Sequence, residues 1–267
     1  MPILTIHEHN ADYHQIWTGP DGQVRAKGLI PRDYQKNPLG SYEAIKPFPL
    51  QLIPENEWQG RLDAIHAAKA SLIDIRNRGM NGQPIPSRDQ NGKGYCWMHS
   101  GTSAAMIIRA IMGAPYADLS AYAGACMIKN YRDEGGNGID GVQFIGERGI
   151  PTSQFWPQQS MSRANDNPQT WANAAQNKYQ DWSELDPAQA KAQLVTSILN
   201  GIPVVSDFNW WSHSVCTVDI VSFSPFTTTI WNSWGDSWSQ NGMGNLVGNH
   251  AVPDGAVLPL VMTPAPA

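Results

Sequence analysis

The chain has 267 residues, of which 41% are hydrophobic and 15% are charged, and its formal net charge is -5. This length and apolar content are enough for one large globular domain or for two lobes. The negative balance argues against a nucleic acid as the main partner. No apolar stretch approaches the roughly 18 residues that a membrane-spanning helix needs. We therefore expect neither a nucleic-acid nor a membrane partner.

The N-terminal part predicts an irregular arm followed by a helix. Residues 1 to 54 are rich in Pro, Gly and Tyr and show no periodic apolar run. Three histidines lie in this arm, but because no second ligand cluster completes a site we expect no metal there. Residues 55 to 78 predict a helix that ends at Gly79, and its apolar face is formed by Trp58, Leu62, Ile65 and Leu72.

A loop and a second helix follow. Residues 81 to 94 contain Gly, Pro, Asn and Ser and predict the loop. Apolar residues then recur at helical spacing behind Cys96, and Gly113 and Pro115 supply stop signals. Cys96 is therefore expected at the start of a mostly buried helix. The unpaired backbone N–H groups and the positive end of the helix dipole favour a thiolate there.

The second half of the chain predicts two helices and then strands. One helix covers 141 to 148 and stops at Gly149, and another covers 186 to 200 and stops at Gly201. A β-rich half begins at 203 to 208 and continues with strands at 214 to 221 and 227 to 231. Residues 253 to 267 predict a loose C-terminal tail.

Four residues in these segments suit nucleophilic catalysis. A free thiol is mostly protonated near neutral pH, so a catalytic Cys96 needs a histidine partner. His213 precedes one predicted strand and Asn232 follows the next, so a hairpin would place the amide beside the imidazole and fix its tautomer. Gln90, in the loop before the helix, is positioned to donate to an oxyanion together with the backbone N–H of Cys96.

These residues resemble the motifs of the papain-like cysteine peptidase family. The sequence Gln-Asn-Gly-Lys-Gly-Tyr-Cys-Trp covers residues 90 to 97, His213-Ser214-Val215 follows, and 232 to 242 read Asn-Ser-Trp-Gly-Asp-Ser-Trp-Ser-Gln-Asn-Gly. The resemblance covers about residues 85 to 246. It implies an α+β, two-lobe fold, in which a helical lobe carries the nucleophile and an antiparallel β-rich lobe carries His and Asn.

The resemblance also implies a division of the chain and a set of substrate contacts. The expected parts are an N-terminal extension at 1 to 80, a catalytic domain at 81 to 252 and the tail. Gly136 would bond an extended substrate backbone, and the floor of the specificity pocket would lie within 157 to 200. The expected substrate-binding residues are Gly135, Gly136, Asn137, Gly138, Ser214, Trp234 and Trp238.

The chain departs from the family at its cysteines. Lys93 stands where the family has a disulfide cysteine, and only Cys126 and Cys216 remain beside Cys96. We expect both to be core residues and no disulfide framework to exist. No signal peptide is evident at the N-terminus. A cytoplasmic or otherwise reducing compartment is therefore expected, including the interior of a virion if the protein is viral.

The expected function is hydrolysis of a peptide or protein by a Cys96 thiolate and a His213 imidazolium, with no cofactor. Two alternatives stay open: another thiol acyl transfer, such as deamidation, transpeptidation or isopeptide cleavage, and a non-catalytic module of the same fold. The oligomeric state is open as well. Residues 1 to 80 are expected to be a permanent cap on the catalytic domain, and the alternative is a removable inhibitory propeptide.

Overall fold

A computed structural model describes residues 3–45, 48–79 and 82–263. The fold is of the α+β class, as predicted, with helices packed against a mixed sheet. The helices are α1 (Glu55–Ala67), α2 (Leu72–Arg78), α3 (Cys96–Ile111), α4 (Ala121–Ile128), α5 (Gly138–Arg148), α6 (Pro168–Ala174) and α7 (Ala190–Leu199). The strands are β1 (Leu4–Ile6), β2 (Tyr179–Glu184), β3 (Val204–Phe208), β4 (His213–Phe223), β5 (Phe226–Trp231), β6 (Met243–Val247) and β7 (Gly255–Met262).

The sheet has seven strands in the order β1-β6-β5-β4-β3-β7-β2. Its neighbouring strands are antiparallel except β1 and β6, which are parallel. The predicted hairpin is formed by β4 and β5, in which Cys216 is paired with Trp231. Because β4 begins where β5 ends, His213 and Asn232 lie side by side, as expected from the sequence.

Helix α3 connects the two lobes. It is buried over nearly its whole length and packs against α5 on one side and β4 on the other. The helix is buried all round rather than along one stripe, as in the centre of a core, although His99, Ser100, Thr102, Ser103 and Arg109 are polar. Its first residue, Cys96, consequently lies at the boundary between the helical lobe and the sheet.

The predicted helix at 55 to 78 is in fact two helices. Helix α1 ends at Ala67, Lys69 takes a positive φ of 50°, and α2 starts anew behind Ser71. The Ser71 hydroxyl accepts the backbone N–H of Asp74, and the Asp74 carboxylate accepts the N–H of Ser71. The positive φ of Lys69 follows the end of α1, and this capping box begins α2 within four residues of it. The expected stop at Gly79 is present.

The expectation of a loose tail at 253 to 267 is wrong for its main part. Residues 255 to 262 form β7, which lies between β3 and β2 in the sheet and is largely buried. Pro253 and Pro259 made this stretch look unlike a strand, since proline removes a backbone donor. Residues 264 to 267 lie outside the described part of the chain.

The N-terminal arm is mostly irregular, as predicted, but it also contributes β1 to the edge of the sheet. Within residues 3–45, 48–79 and 82–263, no helix combines the length and apolar character that crossing a lipid bilayer requires.

Candidate active site

Cys96 is the first residue of α3, and its side chain is fully buried. The backbone N–H groups of Ser214, Gly28 and Trp97 point at the thiol. Ser214 directly follows His213, so the thiol lies against the start of β4. The helix start and the strand start thus bring the two expected reacting groups to one place.

His213 is held in a defined tautomer by Asn232. The imidazole Nε2 lies 2.7 Å from the Asn232 side-chain oxygen, which can only accept a hydrogen bond. Nε2 must therefore carry the proton, and Nδ1 is left unprotonated in the neutral ring. Nδ1 is buried and makes no hydrogen bond to any described residue. Its lone pair is thus available to take a proton from a neighbouring group.

Aromatic side chains fix the plane of this imidazole. The indoles of Trp211 and Trp234 both lie 4.8 Å from the His213 ring, between centroids. Trp238 packs edge-on against Trp234 at 5.7 Å. Trp234 therefore packs against the His213 ring, which is hydrogen-bonded to Asn232.

Gln90 is fully buried beside the thiol's helix. Its side-chain oxygen accepts the Ser233 hydroxyl at 2.5 Å, which orients the amide so that Nε2 faces the cleft. Nε2 donates to the carbonyl oxygens of Lys93 at 2.7 Å and Ala26 at 2.9 Å. The Ala26 carbonyl belongs to the N-terminal arm. The Gln90 amide that is expected to donate to an oxyanion is therefore already bonded to the arm.

The arm runs through the cleft past the thiol. Gly136 donates its N–H to Gly28 at 2.9 Å and accepts the N–H of Ile30 at 2.8 Å, in a parallel bridge centred on Leu29. The N–H of Leu29 is bonded to Ser212 at 3.1 Å. The arm therefore uses the backbone groups of Gly136 that the sequence assigned to substrate.

Gly28, the arm residue whose N–H is directed at the thiol, is glycine for a steric reason. A Cβ on Gly28 would overlap the carbonyl oxygen of Gly94. The group that Gly28 presents to Cys96 is its N–H, not its carbonyl carbon.

Polar and aromatic contacts hold the upstream part of the arm. The Arg25 guanidinium binds Asp89 through two nitrogens, at 2.8 and 2.7 Å, and Asp21 at 2.7 Å. These bonds raise the pKa of Arg25, against the effect of its partial burial. Trp17 stacks on Trp234 with their ring centroids 6.2 Å apart.

Burial disfavours the charged form of both candidate catalytic groups. Burial raises the pKa of the Cys96 thiol to about 12, although the backbone N–H groups around it act in the opposite direction. Burial lowers the pKa of His213 to about 3, against the hydrogen bond to Asn232. In this arrangement burial therefore favours a thiol and a neutral imidazole over an ion pair.

The expected substrate-binding residues lie in one region but differ in what they do. A Cβ on Gly135 would lie 2.5 Å from the Gly28 oxygen, and one on Gly136 would lie 2.7 Å from the Trp97 indole. Asn137 is engaged elsewhere, because its side chain caps α5 by accepting the N–H of Asp140. Trp238 lines a cavity of about 600 Å³ together with the arm residues Ile16 and Trp17.

One residue of this region was not found from the sequence. Asp207 of β3 is paired with Ser214 in register, and its carboxylate accepts the N–H of Gly138 at 2.9 Å. It thus joins two of the expected pocket walls, and it lies outside the stretch at 157 to 200 where the pocket floor was placed. The available signal was an acidic residue inside a mostly apolar strand.

The two other cysteines and one further histidine of α3 are buried. Cys126 and Cys216 are buried, as predicted. All three cysteines are free thiols, so none of them forms a disulfide. His99 is buried edge-on against Tyr122, at 5.9 Å between centroids, and burial lowers its pKa to about 3. In the described residues, no group of three or more side chains suits a metal ion.

No protein-family model matches the chain, and a search of curated protein sequences gives no match either. Solved structures do match, although their sequences are distant. Xylellain, a cysteine protease from Xylella fastidiosa, has a TM-score of 0.60 at 18% identity, covering 89% of this chain and 97% of its own. Procathepsin L2 from the larval midgut of Tenebrio molitor has a TM-score of 0.60 at 17% identity, covering 89% and 78%.

A third similar structure is procathepsin B S9 from Trypanosoma congolense, with a TM-score of 0.57 at 13% identity, covering 91% of this chain and 87% of its own. At such identities the likeness concerns the fold alone. The chain therefore has the papain-like two-lobe fold that its motifs implied, and its structural neighbours are cysteine proteases.

Proposed function

We propose that this chain is a cysteine peptidase that hydrolyses peptide bonds. Its own N-terminal arm keeps the enzyme inactive until the arm is displaced. The observation that carries the proposal is the hydrogen bond of 2.7 Å between His213 and Asn232, next to a thiol at a helix N-terminus. A scaffold protein needs none of these side chains. A buried Nδ1 without a hydrogen-bond partner lowers the stability of the fold, and a catalytic role explains why it is kept.

The chemistry follows from the tautomer. Nδ1 of His213 takes the proton of Cys96, and the sulfur attacks the carbonyl carbon of the scissile peptide bond. The resulting oxyanion receives hydrogen bonds from Gln90 Nε2 and from the backbone N–H of Cys96. The imidazolium then gives its proton to the leaving nitrogen as the C–N bond breaks. Water hydrolyses the thioester, with His213 as base, and restores the thiol.

The arm opposes each of these steps. It occupies Gln90 through Ala26, occupies Gly136 through Gly28 and Ile30, and excludes the water that would stabilise the charged pair. Its contacts in the cleft are mainly backbone hydrogen bonds, which an extended substrate can replace one for one. An equilibrium between the closed arm and a bound substrate is therefore expected to control activity.

The test is turnover of a fluorogenic peptide library by the purified full-length chain, compared with Cys96→Ala and with the matched control Cys126→Ala. We expect Cys96→Ala to lower kcat/KM by at least about 10⁴-fold, since it removes the nucleophile. Gln90→Ala should lower kcat by about 10²–10³-fold, as loss of one oxyanion donor does elsewhere.

Turnover that survives in Cys96→Ala would exclude the mechanism. A non-catalytic module would be favoured by two results together. Neither the wild type nor a variant with a displaced arm would cleave any peptide, and iodoacetamide would react with Cys96 no faster than with Cys216. Hydrolysis of side-chain amides but not of peptide bonds would indicate a different acyl transfer.

A further inference from the structure

Arg76 is a buried arginine of α2, and its guanidinium reaches the loop that follows Asn232. The residue is only 1% exposed. Its Nη2 donates to the Asp236 carboxylate at 3.2 Å and to the carbonyl oxygen of Asn241 at 2.9 Å. Burying a guanidinium is unfavourable unless its charge is paired and its N–H groups are bonded. A helix of the N-terminal stretch therefore holds two points of this loop with one nitrogen.

Both contacts continue to the backbone of Asn232. Asp236 Oδ1 also accepts the backbone N–H of Ser87 at 2.8 Å, and the Ser87 hydroxyl donates to the Asn232 carbonyl oxygen at 2.5 Å. Asn241 is followed by Gly242, whose carbonyl oxygen accepts the N–H of Asn232 at 2.8 Å. The two backbone polar groups of Asn232 are thus bonded to residues that are linked directly to a contact of the guanidinium.

The packing around these segments is tight. Gly242 has a positive φ of 75°, and a Cβ there would lie 2.4 Å from the Ser87 side chain. The guanidinium also lies over the Trp231 ring, 5.2 Å from its centre, and Trp231 immediately precedes Asn232. A planar guanidinium suits this combination of two acceptors and an aromatic ring better than an ammonium does. Arg76 consequently contacts the chain on both sides of Asn232.

The position of the Asn232 amide matters because it acts on His213. Its oxygen accepts from the imidazole Nε2 at 2.7 Å, which fixes the tautomer and stabilises the imidazolium once Nδ1 has taken the proton of Cys96. Loss of the guanidinium would loosen the backbone before and after the amide. The imidazole would then be held less firmly, and the thiolate–imidazolium pair would be less stable.

We propose that Arg76 is a positioning residue for catalysis, which orients Asn232 from α2 and thereby favours the thiolate–imidazolium pair of Cys96 and His213. The inference rests on the proposed peptidase function. It makes α2 necessary for the chemistry and not only for covering apolar surface. A chain that folds with α2 in place but without this guanidinium should therefore bind peptides normally and turn them over slowly.

The test measures alkylation of Cys96 by iodoacetamide as a function of pH in full-length Gly28→Val, where the added side chain overlaps the Gly94 carbonyl and forces the arm from the cleft. This parent should reach a plateau near neutral pH. Arg76→Met is added to it, because apolar side chains of similar volume often replace buried ion pairs without loss of the fold. We expect the rate at neutral pH to fall by about tenfold, since less thiolate forms there.

Peptide turnover gives a second readout of the same variants. For a fluorogenic peptide that the parent cleaves, Arg76→Met should lower kcat by about tenfold and change KM by less than about twofold. Arg76→Lys should recover part of the loss, because an ammonium keeps the charge but not the planar shape. Asp236→Ala removes the same ion pair from its other end, where the side chain is 46% exposed, and should shift the pH profile in the same direction.

Two controls separate positioning from loss of stability. Arg78→Met changes an exposed arginine at the end of the same helix, and Leu62→Ala removes a buried apolar side chain of α1. Both should leave the plateau of the parent where it is. A shift in Leu62→Ala as large as that in Arg76→Met would overturn the inference, because any loosening of the helix pair would then suffice.

The remaining outcomes distinguish the inference from the function on which it rests. An unchanged profile in Arg76→Met, or in Asp236→Ala if the first variant does not fold, would overturn the positioning role and leave the peptidase intact. A parent without a plateau near neutral pH would instead remove the proposed function and this inference together.

Discussion

The arm across the cleft and the helix pair α1–α2 belong to the same N-terminal stretch, but they are bound to the rest of the molecule in different ways. The arm around Gly28 is held mainly by backbone hydrogen bonds and by the charge contacts of Arg25. The helix pair instead buries apolar side chains, among which Leu62 and Leu72 are each only 2% exposed.

This difference distinguishes the arm, which a substrate can replace, from the helix pair, which it cannot. A substrate backbone offers the same N–H and C=O groups as the arm, so the arm can be replaced at little net cost. Apolar surface under α1 and α2 would be exposed to water if they left, at about 25 cal/mol per Å². We propose that the helix pair is a permanent part of the catalytic unit and that only the arm moves.

Leu62→Ala should have the largest effect on stability. Loss of this buried side chain should lower the free energy of unfolding by about 2–5 kcal/mol, from lost burial and the cavity left behind. Chemical denaturation monitored by tryptophan fluorescence would measure it, and the exposed Asp63→Ala on the same helix is the control. One shifted transition is expected. Two transitions, the later one unchanged, would mean that the helix pair folds apart from the catalytic domain.

Gly28→Val should release the arm with much less effect on stability. Because the new side chain overlaps Gly94, the closed position becomes unfavourable, and iodoacetamide should label Cys96 at least about tenfold faster. Mass spectrometry of the labelled peptide gives the rate. Gly60→Ala, where a Cβ has no neighbour within 4 Å, is the matched control. An unchanged rate in Gly28→Val would show that the arm does not limit access to the thiol.

The pH dependence of labelling should differ between the closed and released forms. In the wild type burial holds the Cys96 pKa near 12, so the thiolate fraction and the rate should rise about tenfold per pH unit from pH 7 to 9. In Gly28→Val, access of water lets the thiolate and the His213 imidazolium form together, and a plateau should begin near neutral pH. A neutral plateau in the wild type would contradict a thiol kept neutral by the arm.

Arg25→Gln should give the smallest effect. It removes the ion pairs with Asp89 and Asp21 while leaving the backbone bonds of the arm in place, so labelling of Cys96 should accelerate by about fivefold or less. The same acceleration should appear in the wild type at high salt and be absent at high salt in the variant. A larger increase than that of Gly28→Val would make the charge contacts, not the backbone pairing, the main hold on the arm.

Local patterns in the sequence predicted the framework of the site. Cys96 begins a helix because loop-forming residues precede it and apolar residues follow at helical spacing. His213 and Asn232 meet because a hairpin places the start of its first strand beside the end of its second strand. The glycines at 79, 149 and 201 each follow a helix with a positive φ, as the stop signals indicated. These are interactions between residues close in sequence, for which composition and spacing carry the information.

Long-range pairing decided the rest. Strand β7 was missed because its proline content argues against a strand, while its partner β3 lies about 50 residues earlier. The break between α1 and α2 follows from a capping box that interrupts a continuous apolar pattern. The path of the arm has no periodic signal, since backbone hydrogen bonds do not depend on which side chains are present.

The sequence by itself determined the nucleophile's helix, the histidine's strand and the amide beside it, because the helix and the strands depend on local pattern and the amide contact on a hairpin between consecutive strands. Only the tertiary structure decided that the arm closes over them and that Asp207 faces Gly138. Gly28 and Gly94 are 66 residues apart in the sequence, and Gly138 and Asp207 are 69 residues apart. These contacts depend on strand register and on the absence of side chains at glycines. A linear pattern specifies neither.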